Sequence, residues 1–206
     1  PALYDALARS NEASDAAAHA IMTTDTVKKE VAVETVIGGK TVRMGGIAKG
    51  SGMIHPNMGT MLCFLTTDCA ISPEMIKTAL LETVNVSFNR ISVDGDTSTN
   101  DTCCVLANGL AGNAPITEKG EDYAAFLEAL QALCVALAKK MASDGEGAKH
   151  LITCTVTGAK SEASAETIAK SVISSTLTKA AIFGADANWG RVLCAMGSVS
   201  YTHLTL

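Results

Sequence analysis

The sequence carries no cluster of basic residues. Its 16 lysines and arginines are scattered among 21 acidic residues for a net charge of −5, which argues against the basic footprint of a nucleic-acid binder. Small acidic or zwitterionic metabolites fit this balance. No apolar run approaches the length of a membrane span, and the opening Pro1-Ala2-Leu3-Tyr4-Asp5 lacks the charged-then-apolar pattern of a signal peptide. The first residue is not methionine, which predicts a fragment or a processed piece. Internal repeats and low-complexity linkers are absent. Seven cysteines are an odd number, none forms a Cys-x-x-Cys pair, and Cys63, Cys134, Cys154 and Cys194 sit inside apolar runs. They read as reduced, buried thiols of a cytoplasmic protein. Adjacent Cys103 and Cys104 would face opposite sides of a strand, so a shared zinc has no support and no metal is expected. There is no Gly-x-Ser-x-Gly and no Ser-x-x-Lys, and Lys49 precedes its glycines instead of following them as a phosphate loop requires. Histidines are few: His55 adjoins a proline, and His19 lies on an alanine-rich helix as packing or surface.

What is present suffices for a sizeable core. With 206 residues and 48% apolar composition, the chain is long enough for one or two domains. Ser10 and Asn11 cap a short helix over Glu12 to Ile21, which runs into Met22 to Thr26, whose dense hydroxyl and carboxylate groups are either a turn satisfying its own backbone, the usual case, or part of a polar site. Val31, Val33 and Thr35 alternate with Ala32 and Glu34, and Gly38-Gly39 then turns the chain, predicting a hairpin that ends at Gly45-Gly46. Met61 to Leu65 reads as a strand. Ser72-Pro73-Glu74 is a helix start, and Ile76, Leu80, Val84 and Phe88 follow on one core face. Asp94 to Asp101 is a polar cluster; a calcium loop there needs glycine sixth and glutamate twelfth, where Thr99 and Val105 stand, so a hydrogen-bonded turn is expected. Cys103 to Leu106 then enters the core as a strand. Leu127, Leu130, Cys134, Leu137 and Met141 mark the longest amphipathic helix, broken at Ser143 to Gly147. Leu151 to Val156 reads as a strand, a helix begins near Ser164 to Glu166, and Asp186-Asn188-Trp189 forms a turn. Interspersed helices and strands give an α/β fold in the broad, α+β sense, with sheet layers and covering helices.

The stretch Lys49 to Thr60 organises this chain. Gly50, Gly52, Gly59 and Pro56 make a rigid, irregular loop that delivers Thr60 to the strand beginning at Met61. On spacing alone, Thr60 is either a β-branched residue opening a strand or a side chain aimed and held at a loop end. A threonine without a histidine partner is a competent nucleophile when its own α-amine serves as the base, which requires it to become a chain terminus. Gly59, small and flexible, suits a cleavage immediately before Thr60.

Three motifs tie these residues to a family. Lys49 to Thr60 with Met61-Leu62 and Thr66-Thr67-Asp68, then Phe88-Asn89-Arg90-Ile91-Ser92-Val93-Asp94 through Thr102, then Gly184-Ala185-Asp186-Ala187-Asn188-Trp189-Gly190-Arg191, resemble in order the ornithine acetyltransferase (glutamate N-acetyltransferase) family of arginine biosynthesis. The resemblance implies a self-cleaving, N-terminal-nucleophile-like fold. Residues 1–59 would be the end of the family's α chain, and residues 60–206 the start of its β chain. Cleavage between Gly59 and Thr60 would free Thr60 to carry an acetyl group from N-acetylornithine to glutamate. Thr23, Lys49 and Glu146 fall on substrate-contacting positions, no cofactor is implied, some members also use acetyl-CoA, and full-length members assemble as α2β2 heterotetramers. The chain departs from the pattern in four places. Members commonly carry alanine where Gly59 stands; the oxyanion-hole Thr-Gly pair lies upstream; the last substrate-contacting Asn and Thr lie beyond the end; and residues 198–206 leave the pattern, as non-native sequence would. Losing an oxyanion donor costs about a hundredfold to a thousandfold, so this chain alone is expected to be poorly active. An amidase or aminopeptidase on a related scaffold, and an inactive fragment whose motifs serve packing, are the competing readings.

Overall fold

The computed structural model describes residues 10–55 and 61–199. The element order is α1 (Asn11–Ala20), β1 (Lys29–Ile37), β2 (Lys40–Lys49), β3 (Leu62–Thr67), α2 (Pro73–Val86), a 3₁₀ turn (Phe88–Arg90), β4 (Thr102–Ala107), α3 (Glu121–Ser143), α4 (Glu162–Ser174), α5 (Thr176–Phe183) and α6 (Trp189–Gly197).

The four strands form one mixed sheet in the order β1-β2-β3-β4. Gly38 and Gly39, at φ +55 and +73, supply the two left-handed residues that a tight hairpin requires, and β1 and β2 pair from Lys29–Ala48 down to Ile37–Lys40. β3 runs antiparallel to β2, from Met44–Thr67 to Lys49–Leu62. β4 lies parallel to β3, so the intervening chain must cross over, and α2 makes that crossover. It starts as the sequence predicts, with the Ser72 hydroxyl accepting from the Met75 N–H and Pro73 in the first turn.

One face of the sheet is covered. Along β3, Cys63, Leu65 and Thr67 are buried while Phe64 and Thr66 face out, the period-two pattern of a half-covered sheet. α3 lays Phe126, Leu130, Leu133, Leu137 and Met141 on that inner face, with Val42, Met44 and Ile37 beneath. α2 packs beside it through fully buried Ala79 and Thr83, with Ile76, Leu80 and Val84 half-buried around them and Phe88 buried beyond its end. Helices α4, α5 and α6 form a second cluster, tied to the sheet body by Arg90–Glu162 at 2.6 Å and by Lys179 Nζ on the Val93 carbonyl at 2.7 Å.

Four expectations need correction. Gly45 and Gly46 do not end the hairpin but lie within β2: a Cβ on Gly46 would stand 2.6 Å from Leu65 Cδ2 and 3.0 Å from Leu137 Cδ1, so the glycine lets α3 close on the sheet. Residues 151–156 are not a strand among the described residues, although their burial alternates as a strand's does. β4 is a half-buried edge, with Leu106 66% exposed. Cys194 is exposed and Cys154 half-buried, whereas Cys63 and Cys134 are buried as expected.

Candidate functional site

Lys49 ends β2 on the face opposite the inward positions Val42, Met44, Gly46 and Ala48, yet it is buried there, and the pairing with Leu62 holds its backbone. The residue is 7% exposed. Its ammonium meets Thr23 Oγ1 at 3.3 Å, and no carboxylate among the described residues lies within ion-pair distance. A buried ammonium without an anion is costly, so the place is shaped for an anionic group. Thr23, which the sequence reading placed in the same site, is therefore brought directly to Lys49.

Glu146 joins them through the chain after Lys49. Its N–H donates to the Ser51 carbonyl at 3.0 Å, and its carboxylate lies over Gly52, where a Cβ would come within 2.6 Å of Oε1. The side chain is exposed while its backbone is fixed. Gly59 and Thr60, the expected scissile pair, lie outside the described residues.

A buried ion network underlies the cluster. Lys29 Nζ sits 2.5 Å from Asp25 Oδ1 and 2.5 Å from Asp144 Oδ2, with the lysine and Asp25 side chains wholly buried. Asp25 accepts from the Gly50 N–H at 2.7 Å and from the Thr23 N–H at 3.2 Å. Asp144 accepts from the N–H groups of Thr26 and Val27 and from the Thr26 hydroxyl, and its carbonyl receives the Ser51 hydroxyl at 2.7 Å. Burial alone would push both carboxyls up. For Asp25 the Gly50 amide and Lys29 outweigh it, and for Asp144 Lys29 and the Thr26 and Val27 groups do, so both stay below the usual carboxylate value.

Two more carboxylates hold the loop on either side of the undescribed residues. Asp94 grips the N–H groups of Met53 and Ile54 at 2.5 and 3.1 Å, with Met53 at φ +56, a strained value for a side-chain-bearing residue. Asp101 Oδ1 accepts from the Met61 N–H at 2.8 Å; its other oxygen is buried without a partner among the described residues, and burial pushes its pKa up against the pull of that amide. The polar cluster from Asp94 to Asp101 thus does more than close its own turn. His55 Nδ1 meets Ser92 Oγ at 3.0 Å.

Comparison with known proteins places the chain in a family. The profile of the ArgJ family matches residues 2–205. The chain belongs to the ArgJ family. It is 56% identical over 198 residues to the chloroplastic arginine biosynthesis bifunctional protein ArgJ of Physcomitrium patens, covering 96% of this chain and 38% of the relative. It is 54% identical over 186 residues to the ArgJ protein of Halalkalibacterium halodurans, covering 90% and 45%. The chain thus spans less than half the length of these curated relatives. The crystal structure of the Bacillus halodurans ArgJ protein superposes with a TM-score of 0.65 at 50% identity, covering 66% of this chain and 64% of that one. The mixed α/β architecture is therefore an ArgJ fold.

Within this ArgJ-family chain, sequence reasoning missed Asp25, Lys29, Asp144 and Asp101. A signal for Lys29 was present: it stands in phase with Val31, Val33 and Ile37, the inward positions of β1. A cavity of about 620 Å³ is lined by Glu146 together with the end of α3, α4 and residues 147–156. Of the residues expected at the site, Glu146 lines it and Thr23 and Lys49 do not.

Proposed function

We propose that this chain is the part of an acetyltransferase that bears the nucleophile, moving an acetyl group from N-acetylornithine to glutamate in arginine biosynthesis. The observation that carries the reading is Lys49: a buried cation with no anion among the described residues, in a chain of the ArgJ family. Lys49 takes the α-carboxylate common to donor and acceptor as a point charge. Thr23 adds its hydroxyl, and Glu146 receives the amine or ammonium of the amino acid.

The chemistry begins with the chain itself. Thr60 Oγ attacks the Gly59 carbonyl, the hydroxyl proton passes to the departing Thr60 nitrogen, and the resulting ester is hydrolysed by water to a Gly59 carboxylate and a free Thr60 amine. That amine is then the base. It takes the Thr60 hydroxyl proton as Oγ attacks the acetyl carbonyl of N-acetylornithine, and returns it to the leaving ornithine nitrogen. Glutamate's amine attacks the acetyl ester in turn, releasing N-acetylglutamate and restoring the threonine. Each half-reaction exchanges one acyl bond for another, and one site serves both amino acids. The relatives' description as bifunctional supports a second donor, acetyl-CoA, for the same acetyl-enzyme. A heterotetramer of cleaved halves and a cytoplasmic setting complete the proposal; no helix among the described residues is long and apolar enough to cross a membrane.

The test is intact mass on a chain extended to the length of its relatives, beside Thr60→Ala. The wild type is expected to split between Gly59 and Thr60 and to release acetyl only when glutamate is present, while the alanine variant stays whole. Acetyl release that ignores glutamate would instead favour the amidase reading, and an unsplit wild type would remove Thr60 from the mechanism.

A further inference from the structure

The geometry points to Lys29 as the positioning residue of this site: its buried ammonium clamps Asp25 and Asp144 together, and through them fixes the relative places of Thr23, Lys49 and Glu146. The inference rests on the acetyl-transfer reading for its substrates, but on the described geometry for its mechanism.

Each carboxylate of the network ends on backbone belonging to the site. Asp25 holds the peptide N–H between Lys49 and Gly50, and the N–H of Thr23. Asp144 holds Thr26 and Val27 on one side, while its own carbonyl takes the Ser51 hydroxyl on the other. Ser51 then receives the Glu146 N–H. Three segments far apart in sequence, the turn after α1, the end of β2 and the turn after α3, thus meet at one ammonium. Without Lys29, Asp25 and Asp144 would be two like charges facing each other in the interior, and these segments would be driven apart.

Stability alone does not account for a lysine here. Position 29 is an inward position of β1 in line with Val31, Val33 and Ile37, where an aliphatic residue would pack, and buried ion triads are often no more stabilising than apolar residues of similar volume. The lysine gives a defined geometry: two fixed carboxylates, each with its amides. Sub-ångström placement matters in such a pocket, since displacing substrate contacts by about 1 Å can cost on the order of a hundredfold in rate.

The experiment compares Lys29→Met with the triple variant Lys29→Met/Asp25→Asn/Asp144→Asn, both in a chain of the relatives' length. The triple variant removes all three charges of the network together, so none of its members is left buried without its partner and folding is insulated from the loss of the lysine. KM and kcat for N-acetylornithine and glutamate are read beside the melting temperature, and N-acetylornithine binding to the corresponding Thr60→Ala chains is read by calorimetry. The positioning role predicts that both KM values rise roughly tenfold or more in the folded triple variant, with a smaller fall in kcat, and that binding weakens in parallel. A purely structural lysine would lower the melting temperature and the active fraction while leaving KM within twofold, and that result overturns the proposal. So does failure of both variants to fold. If the wild type binds N-acetylornithine yet transfers nothing, and the triple variant loses that binding, the acetyl-transfer reading falls while the positioning role stands. If the wild type neither binds nor transfers, both fall.

Discussion

Gly52 and Gly46 are two glycines that exclude a side chain for opposite reasons, and the difference separates function from stability. A Cβ on Gly52 would lie 2.6 Å from Glu146 Oε1 and 2.7 Å from its carboxyl carbon. Those atoms are the far end of a flexible, exposed side chain, so Gly52→Ala is relieved by swinging Glu146 aside. The melting temperature is expected to move little and KM for the amino-acid substrates to rise. At Gly46 the neighbours are Leu65 and Leu137, both buried to within 1% of full, so the same substitution overpacks the core and costs about 1–3 kcal/mol. Melting curves and KM measured on the same two proteins decide the matter. A Gly52→Ala protein with unchanged KM would show that Glu146 does not meet the substrate.

Elements were legible wherever a local rule sufficed. Leu130, Cys134, Leu137 and Met141 at helical spacing gave α3 and its buried face, Ser72-Pro73 gave the start of α2, and Gly38-Gly39 gave the hairpin tip. Residues 151–156 show where such rules stop: Ile152, Cys154 and Val156 are half-buried and Leu151, Thr153 and Thr155 exposed, as in a strand, yet pairing needs a second backbone that no local pattern specifies. Likewise Glu146, between two glycines, reads as a surface turn, and only the fold shows Ser51 fixing its amide. Of the network under the site only the inward phase of Lys29 was legible; that it joins Asp25 to Asp144, from a turn far along the chain, was not, for the same reason. The face that was legible can be tested directly. Leu137 is wholly buried and reaches the sheet at Gly46, so Leu137→Ala should destabilise by about 2–5 kcal/mol through lost contacts and a residual cavity. Urea unfolding measures it, and a loss below about 1 kcal/mol would mean that α3 does not carry the core.

For the molecule as a whole, the buried carboxylates set how stability responds to acid, and they do not all act in one direction. Asp25 and Asp144 are held below the ordinary value of 3.8, so the unfolded chain binds protons there more readily than the folded one. Their contribution is complete above the unfolded value, declines as pH falls below about 4, and is lost as pH passes through their folded values. Asp101 works the other way. Burial raises its pKa, so the folded chain keeps that proton longer; its contribution is present below the unfolded value and is lost as pH rises through the folded one. Two carboxyls therefore favour the folded state at neutral pH and one opposes it. The denaturant midpoint of the wild type is expected to fall on acidification from pH 6 to pH 3. Asp144→Asn should flatten that fall, because one depressed carboxyl no longer titrates. Asp101→Asn should steepen it, because the compensating group is gone. The solvent-exposed Arg43–Glu34 pair, at 3.0 Å, is screened by salt, whereas the Lys29 network is not, so the effect should persist at high ionic strength. An acid response that vanished in salt would move its origin from the buried network to the surface.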